Sequence, residues 1–220
     1  MLNNYTFQSD LISEKKLGVY LDKVYPRIKG LEKKFIFSRK ENLEQQHLGI
    51  DLVLTDKKSG QEIYVDEKAQ LHYLNKSLTT FTFELSYLKN EVWKKGWFYD
   101  EKKLTQTYFL ITSIVVDENK DFKNCRLITV NRIYFQKFLE DKGLTEEKIF
   151  EYEKLFRTDV KRYNGEQIIS EIDNDFATIH CSFSNLREKP INLKVKLDAL
   201  LEHNLGYEFL PCSIKKDKKD

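Results

Sequence analysis

Cysteine is scarce: Cys125, Cys181 and Cys212 are odd in number and widely separated. That excludes a disulfide framework and a zinc site with short ligand spacing, and it predicts a reducing compartment, with the cytoplasm as the expected location. Proline occurs only at 26, 190 and 211, and glycine only eight times in 220 residues. With no Ser/Gly/Pro-rich linker to divide the chain, one domain over 1–212 is the expectation. No apolar run of 18 residues is present, and Met1-Leu2-Asn3-Asn4-Tyr5 has no secretory core, so neither a membrane span nor export is predicted. Phosphate-cradling and dinucleotide-binding glycine loops are also missing, which argues against nucleotide-driven work. The four histidines, His47, His72, His180 and His203, show no paired metal-ligand spacing.

Charge is plentiful but balanced, with 37 Lys and Arg against 35 Asp and Glu, so the net of +2 does not itself predict nucleic-acid binding. Pairs such as Lys15-Lys16, Lys33-Lys34, Lys57-Lys58 and Lys94-Lys95 are scattered, and solvating helix ends and turns is their ordinary role. Residues 213–220, with four lysines and two aspartates, read as a disordered charged tail. Aromatic residues make up 13% of the chain, enough to fill one substantial core. For Trp93, Trp97, Tyr99 and Tyr73, core packing is favoured over stacking on bases.

Periodicity predicts a helix over 9–30, with Leu11, Leu17, Tyr20, Leu21 and Val24 on one side and a break near Tyr25 imposed by Pro26. A second helix is expected over 38–46. Alternation predicts strands over 79–87 and 96–100, joined by the charged turn 89–95. The nearly continuous apolar stretch 107–116 reads as a buried strand. Helices follow over 131–156, broken at Gly143 with Thr145 as a cap, then a late strand over 179–183 and a short helix over 194–202. The predicted fold class is α/β, a mixed central β-sheet of five or six strands flanked by helices.

The richest stretch is Gly49-Ile50-Asp51-Leu52-Val53-Leu54-Thr55, followed after a polar turn by Tyr64-Val65-Asp66-Glu67-Lys68-Ala69-Gln70. Both halves alternate, and a four-residue connection over 57–60 sets Leu52 opposite Val65, Leu54 opposite Ile63 and Asp51 opposite Asp66. Opposed residues hold their β-carbons roughly 4.5 to 5.5 Å apart, where two carboxylates repel unless a cation lies between them. Oxygen ligands in that number suit Mg²⁺, with Mn²⁺ as a substitute. Lys68 projects from the same face as Asp66, with Gln70 and His72 beyond it, and Glu67 projects from the opposite, apolar one.

Asp, hairpin, (Asp/Glu)-x-Lys resembles the core motif of the PD-(D/E)XK nuclease superfamily, which includes many restriction endonucleases and Holliday-junction resolvases. The resemblance implies a restriction-endonuclease-like core and a Mg²⁺-dependent endonuclease acting on nucleic acid, with DNA the expected substrate. It casts Asp51 and Asp66 as metal ligands, Lys68 as the catalytic lysine and Gln70 as a polar partner, with the Glu67 backbone carbonyl also on the metal. An upstream helix acid is common in the superfamily; Glu44 and Glu41 are the candidates, with Glu44 favoured. Gly49-Ile50 stands where the family name has proline, and a one-residue bulge would put Glu67 in place of Asp66. A weaker resemblance to restriction-enzyme-like sequences covers 186–193. Relatives often act as dimers, so a homodimer is a further expectation. The alternative is a nuclease-fold protein that binds nucleic acid or a protein partner without cutting.

Overall fold

A computed structural model describes residues 2–40, 42–184 and 187–209, with the side chains of 2–11 left out. Glu41, Leu186, Cys212 and the tail over 213–220 therefore lie outside the described residues, and the cap expected at Ser9 falls on an undescribed side chain. In chain order the elements are α1 (Leu2–Val24), α2 (Leu31–Lys34), β1 (Phe35–Arg39), α3 (Leu43–His47), β2 (Leu52–Asp56), β3 (Glu62–Ala69), β4 (Thr80–Lys89) and β5 (Val92–Lys95). There follow β6 (Thr107–Val116), β7 (Phe122–Asn131), α4 (Arg132–Asp141), α5 (Glu146–Thr158), β8 (Gly165–Gln167), β9 (Ala177–Cys181), β10 (Ile191–Lys196), α6 (Leu197–Glu202) and β11 (Gly206–Phe209). The protein is thus mixed α/β.

Where one domain and one sheet were expected, contacts gather into two compact units, each built from separate pieces of chain. The first takes the described residues of 1–78, 105–130 and 207–220, and the second those of 79–104 and 131–206. Each unit has its own sheet.

The sheet of the first unit runs β1-β2-β3-β6-β7-β11. It is mixed, because β1, β2 and β3 pair antiparallel while β3 and β6 run parallel. Helix α1 buries Leu17, Tyr20, Leu21 and Val24 at the spacing of one helical face. It ends at Val24, where the pyrrolidine ring of Pro26 forces a short 3-10 turn over Tyr25–Arg27. These side chains share one cluster with Leu52, Leu54, Val65, Phe109, Ile111 and Leu127 from the strands.

From Leu52 onward the hairpin keeps the register that its alternation predicts, Leu52 facing Val65 and Leu54 facing Ile63. Its connection is tied locally: Oδ1 of Asp56 accepts from the amides of Lys58 and Ser59, both at 2.9 Å, and Gly60 turns at φ 71°. The helix expected over 38–46 is shorter, because 38 and 39 belong to β1 and only Leu43–His47 coil, capped by the side chain of Asn42.

The second unit carries a five-stranded sheet, β5-β4-β10-β9-β8, with every pair antiparallel. Its core centres on Phe83, Phe98 and Phe135, whose rings lie 5.0 to 5.3 Å apart in edge-on and tilted contacts. The expected strand over 96–100 is not one. The turn after β4 is at Asn90-Glu91, both at positive φ, β5 occupies Val92–Lys95, and the chain then loops. Lys194–Lys196, expected as the start of a helix, close β10 instead. Helices α4 and α5 fall on either side of Gly143, and Thr145 caps α5 through the amide of Lys148.

Among the described residues, no helix is long and apolar enough to cross a membrane. Cys125 and Cys181 are both buried, and neither is in a disulfide.

Candidate functional site

Asp51 is delivered by the end of α3. The amides of Gly49 and Ile50 bond back to the carbonyls of Gln46 and Gln45, at 2.9 Å each. Gly49 adopts φ 73°, a left-handed turn natural to glycine, and its carbonyl accepts from Oγ1 of Thr105 at 2.8 Å. Asp51 then enters the sheet, its amide donating to the carbonyl of Val65 at 2.9 Å and its own carbonyl accepting from the amide of Lys40 at 2.8 Å. Its backbone is thereby fixed against Val65, which also faces Leu52, one residue before Asp66.

Asp51 and Asp66 meet. Asp66 is close enough to Asp51 for its charge to be felt there, and Oδ2 of Asp51 accepts from the amide of Glu67 at 2.8 Å. Nζ of Lys68 lies 2.8 Å from Oδ1 of Asp66. Burial, followed by the neighbouring Asp66 charge, pushes the Asp51 carboxyl up to about 6, while the Glu67 amide and Lys68 pull it the other way. A buried carboxyl raised by burial and by a neighbouring carboxylate charge marks a place where further positive charge is favoured.

Among the described residues, no group of three or more His, Cys, Asp or Glu side chains is gathered around a metal position. The pair Asp51 and Asp66 still fits the donor chemistry of Mg²⁺, which commonly takes one or two carboxylates and completes its shell with water and phosphate oxygens. Asp66 is only 2% exposed, so this pair is sheltered rather than open.

Glu67 turns to the α1 side, the face its place in the alternation predicts. There it accepts from Oη of Tyr25, and from Nη1 and Nη2 of Arg39 at 2.5 and 3.1 Å. Burial would lower the Arg39 guanidinium's pKa, but the hydrogen bonds and charge of Glu67, with Asp22 behind them, raise it overall. The ion pair with Arg39 draws the Glu67 side chain away and leaves Asp66 beside Lys68, with its charge felt at Asp51.

The other candidates part company with the pair. Glu44 is exposed on α3 and, like Asp66 and Lys68, is absent from the lining of the cavity that contains Asp51. That cavity, about 450 Å³, lies between α1 and the hairpin and is lined by Glu14, Lys15, Gly18, Asp22, Arg39, Lys40, Gln46, Asp51 and Glu67 together with apolar side chains. Its helix acid nearest in kind to the expected one is Glu14, from α1. The sequence hid this, because 37 residues separate Glu14 from Asp51 and only the packing of α1 on the sheet joins them. Gln70 leaves β3, its amide bonded to the carbonyl of Ile111 at 3.0 Å. Because the strand ends at Ala69, His72 sits exposed on a 3-10 turn rather than on the face of Asp66 and Lys68. Of the aromatic candidates, Trp97 and Tyr99 pack in the second unit, Trp93 lies under the guanidinium of Arg157 at 4.0 Å, and Tyr73 is exposed.

A scan against protein-family models gave no match, and searches of curated proteins and of solved structures gave none either.

Proposed function

We propose that this protein is a metal-dependent endonuclease that hydrolyses phosphodiester bonds in DNA, on a restriction-endonuclease-like core in the first unit. One observation carries the proposal: Asp51 and Asp66 meet across the β2–β3 hairpin with Lys68 at their side. Asp51 and Asp66 would hold Mg²⁺ or Mn²⁺, with the Glu67 carbonyl beside them. Such an ion, when bound, polarises a phosphoryl oxygen and makes its water more acidic. Asp51 must give up its proton to serve as a ligand, and the amide of Glu67 steadies the resulting carboxylate. Lys68 places a positive charge where negative charge develops on the phosphorus centre in the transition state. Glu14, reaching the same cavity as Asp51, takes the place first given to Glu44 as the helix acid. A cytoplasmic location and action as a homodimer complete the proposal.

The test is incubation with plasmid, single-stranded and branched DNA in Mg²⁺ and in Mn²⁺, with Asp66→Ala beside the wild type. Cleavage is expected from the wild type only, the variant losing about a thousandfold or more while keeping its fold. Retained cleavage by folded Asp66→Ala defeats the assignment.

One observation favours a second reading, a nuclease fold that binds nucleic acid without cutting. Asp66 is almost wholly buried and already engaged by Lys68, so an incoming ion has to displace an existing partner. A binding protein of that kind holds DNA equally well with a chelator present and shows no metal-dependent cleavage.

A further inference from the structure

Glu67 is held from two directions within one residue. Its carboxylate, on the α1 side, accepts from Tyr25 and from both terminal nitrogens of Arg39, while its backbone N–H donates to Oδ2 of Asp51. Arg39 is itself anchored, its Nε donating to Oδ1 of Asp22 at 2.8 Å. It lies flat against α1 at Gly18, where an added β-carbon would stand 3.3 Å from Cζ of Arg39. A glycine inside a helix costs about 1 kcal/mol relative to alanine, and here it leaves room for the guanidinium. A paired fork of this kind fixes direction as well as distance.

We infer that Glu67 is a positioning residue, and that Tyr25, Arg39 and Asp22 form with it a clamp that aims the Glu67 amide at Asp51. With one oxygen of Asp51 held by that amide, the carboxyl group is fixed with its remaining oxygen available to Asp66 and to an ion between them. The acid that follows Asp66 in the motif is then not a spare ligand. It is the handle by which the Tyr25 and Arg39 cluster on the α1 side orients the first ligand. This inference rests on the nuclease proposal for its consequence, though not for its geometry.

The test uses the full chain and two measurements. Exchange of the residue-67 amide proton, followed by ¹H–¹⁵N NMR, reports the bond to Asp51 without any metal. Calorimetric titration with Mn²⁺ alone reports the effect on the ligand pair. Glu67→Ala and Arg39→Met are expected to speed exchange at residue 67 and to weaken Mn²⁺ binding by about 10-fold to 100-fold, the usual effect of losing a group that orients a ligand. With substrate, kcat should fall more than KM changes. Glu67→Gln keeps an acceptor for Tyr25 and Arg39, and should recover most of the Mn²⁺ affinity lost in Glu67→Ala, a rescue that a space-filling role alone does not explain.

The inference is overturned if exchange at residue 67 stays as slow as in the wild type, or if exchange accelerates while Mn²⁺ affinity does not change. Should Glu67→Ala and Arg39→Met fail to fold, Tyr25→Phe decides by the same two readings, because it removes one hydroxyl and nearly no volume. Wild-type protein that binds no Mn²⁺ counts against the nuclease proposal, while the exchange measurement still judges the clamp.

Discussion

Lys68 and Asp66, two residues apart on β3, form an ion pair of 2.8 Å in which the aspartate side chain is 3% exposed and the lysine side chain 28%. The partial exposure of Lys68 makes the pair cheaper to desolvate than a wholly buried one, and it leaves the aspartate dependent on a partner. Lys68→Met should therefore lower stability by about 2 to 3 kcal/mol, read from urea unfolding, because it strands a buried carboxylate beside Asp51. Changing Asp66→Asn in the same chain should restore at least half of that loss. Mn²⁺ should raise the melting temperature of Lys68→Met more than that of the wild type, since the ion supplies the charge the lysine gave. Equal shifts in the two proteins would argue that no ion enters between the carboxyls.

Asp51 predicts a pH dependence whose sign follows from its raised pKa. An ordinary aspartate titrates near 3.8, and this one in the folded protein near 6, so between those values the folded state binds the extra proton. Stability contributed by the group is complete at low pH, falls as pH rises through that window, and the cost above it amounts to at most about 2 to 3 kcal/mol. Comparing wild type with Asp51→Asn isolates the effect: the variant should gain on the wild type in melting temperature from pH 4 to pH 7 without metal. Mn²⁺ binding should strengthen over the same range, because the ion needs the ionised carboxylate. A difference in melting temperature that does not vary with pH would refute the coupling of Asp51 to Asp66.

The hairpin was legible because three local signals agree on one register: alternation in Leu52, Leu54, Ile63 and Val65, turn chemistry in Asp56 to Gly60, and the opposed acids. That register also brings Asp51 near Asp66, although the Asp51 amide bonds to Val65. Three features were hidden for physical reasons. The edge strand β1 has only Phe35, Ile36 and Phe37 as apolar residues, and Ile36 is 56% exposed, so it shows little of a buried strand's pattern. The second unit is assembled from pieces on both sides of β6 and β7, and its central pairing of β4 with β10 joins positions about a hundred residues apart without any linker composition to mark it. The cavity wall supplied by Glu14 depends on how α1 lies on the sheet, which no local pattern encodes.

The aromatic run Trp97-Phe98-Tyr99 alternates like a strand, but Arg132 claims its carbonyls. Arg132 is 6% exposed, and its guanidinium donates to the carbonyls of Phe98, Asp100 and Lys103 at 3.2, 2.8 and 2.9 Å. Gln136 adds a bond of 2.7 Å to Phe98. These bonds replace a strand ladder for this loop. Arg132→Met, which keeps the aliphatic packing, should cost about 3 kcal/mol in urea unfolding and expose 96–104 to limited proteolysis. An unaltered proteolytic pattern would show that the loop is held by its aromatic packing alone.

Gly96 and Gly60 should respond to alanine for different reasons and by different amounts. At Gly60 an added β-carbon meets nothing within 4 Å, so Gly60→Ala pays only for a left-handed backbone, about 1 kcal/mol. At Gly96 the backbone is not left-handed, yet the β-carbon would lie 2.3 Å from the carbonyl oxygen of Glu84 and 2.5 Å from its carbon. Neither is the tip of a flexible side chain, so β4 itself has to move. That motion would disturb the bond of the Gly96 amide to Leu85 at 2.7 Å and of the Phe98 amide to Glu84 at 3.2 Å, and with them the seat of Phe98 against Phe83. Gly96→Ala should therefore cost about 2 to 3 kcal/mol or more, clearly above Gly60→Ala, when both are unfolded in urea. If the two variants unfold at the same midpoint, the close approach of Gly96 to β4 does not hold in solution.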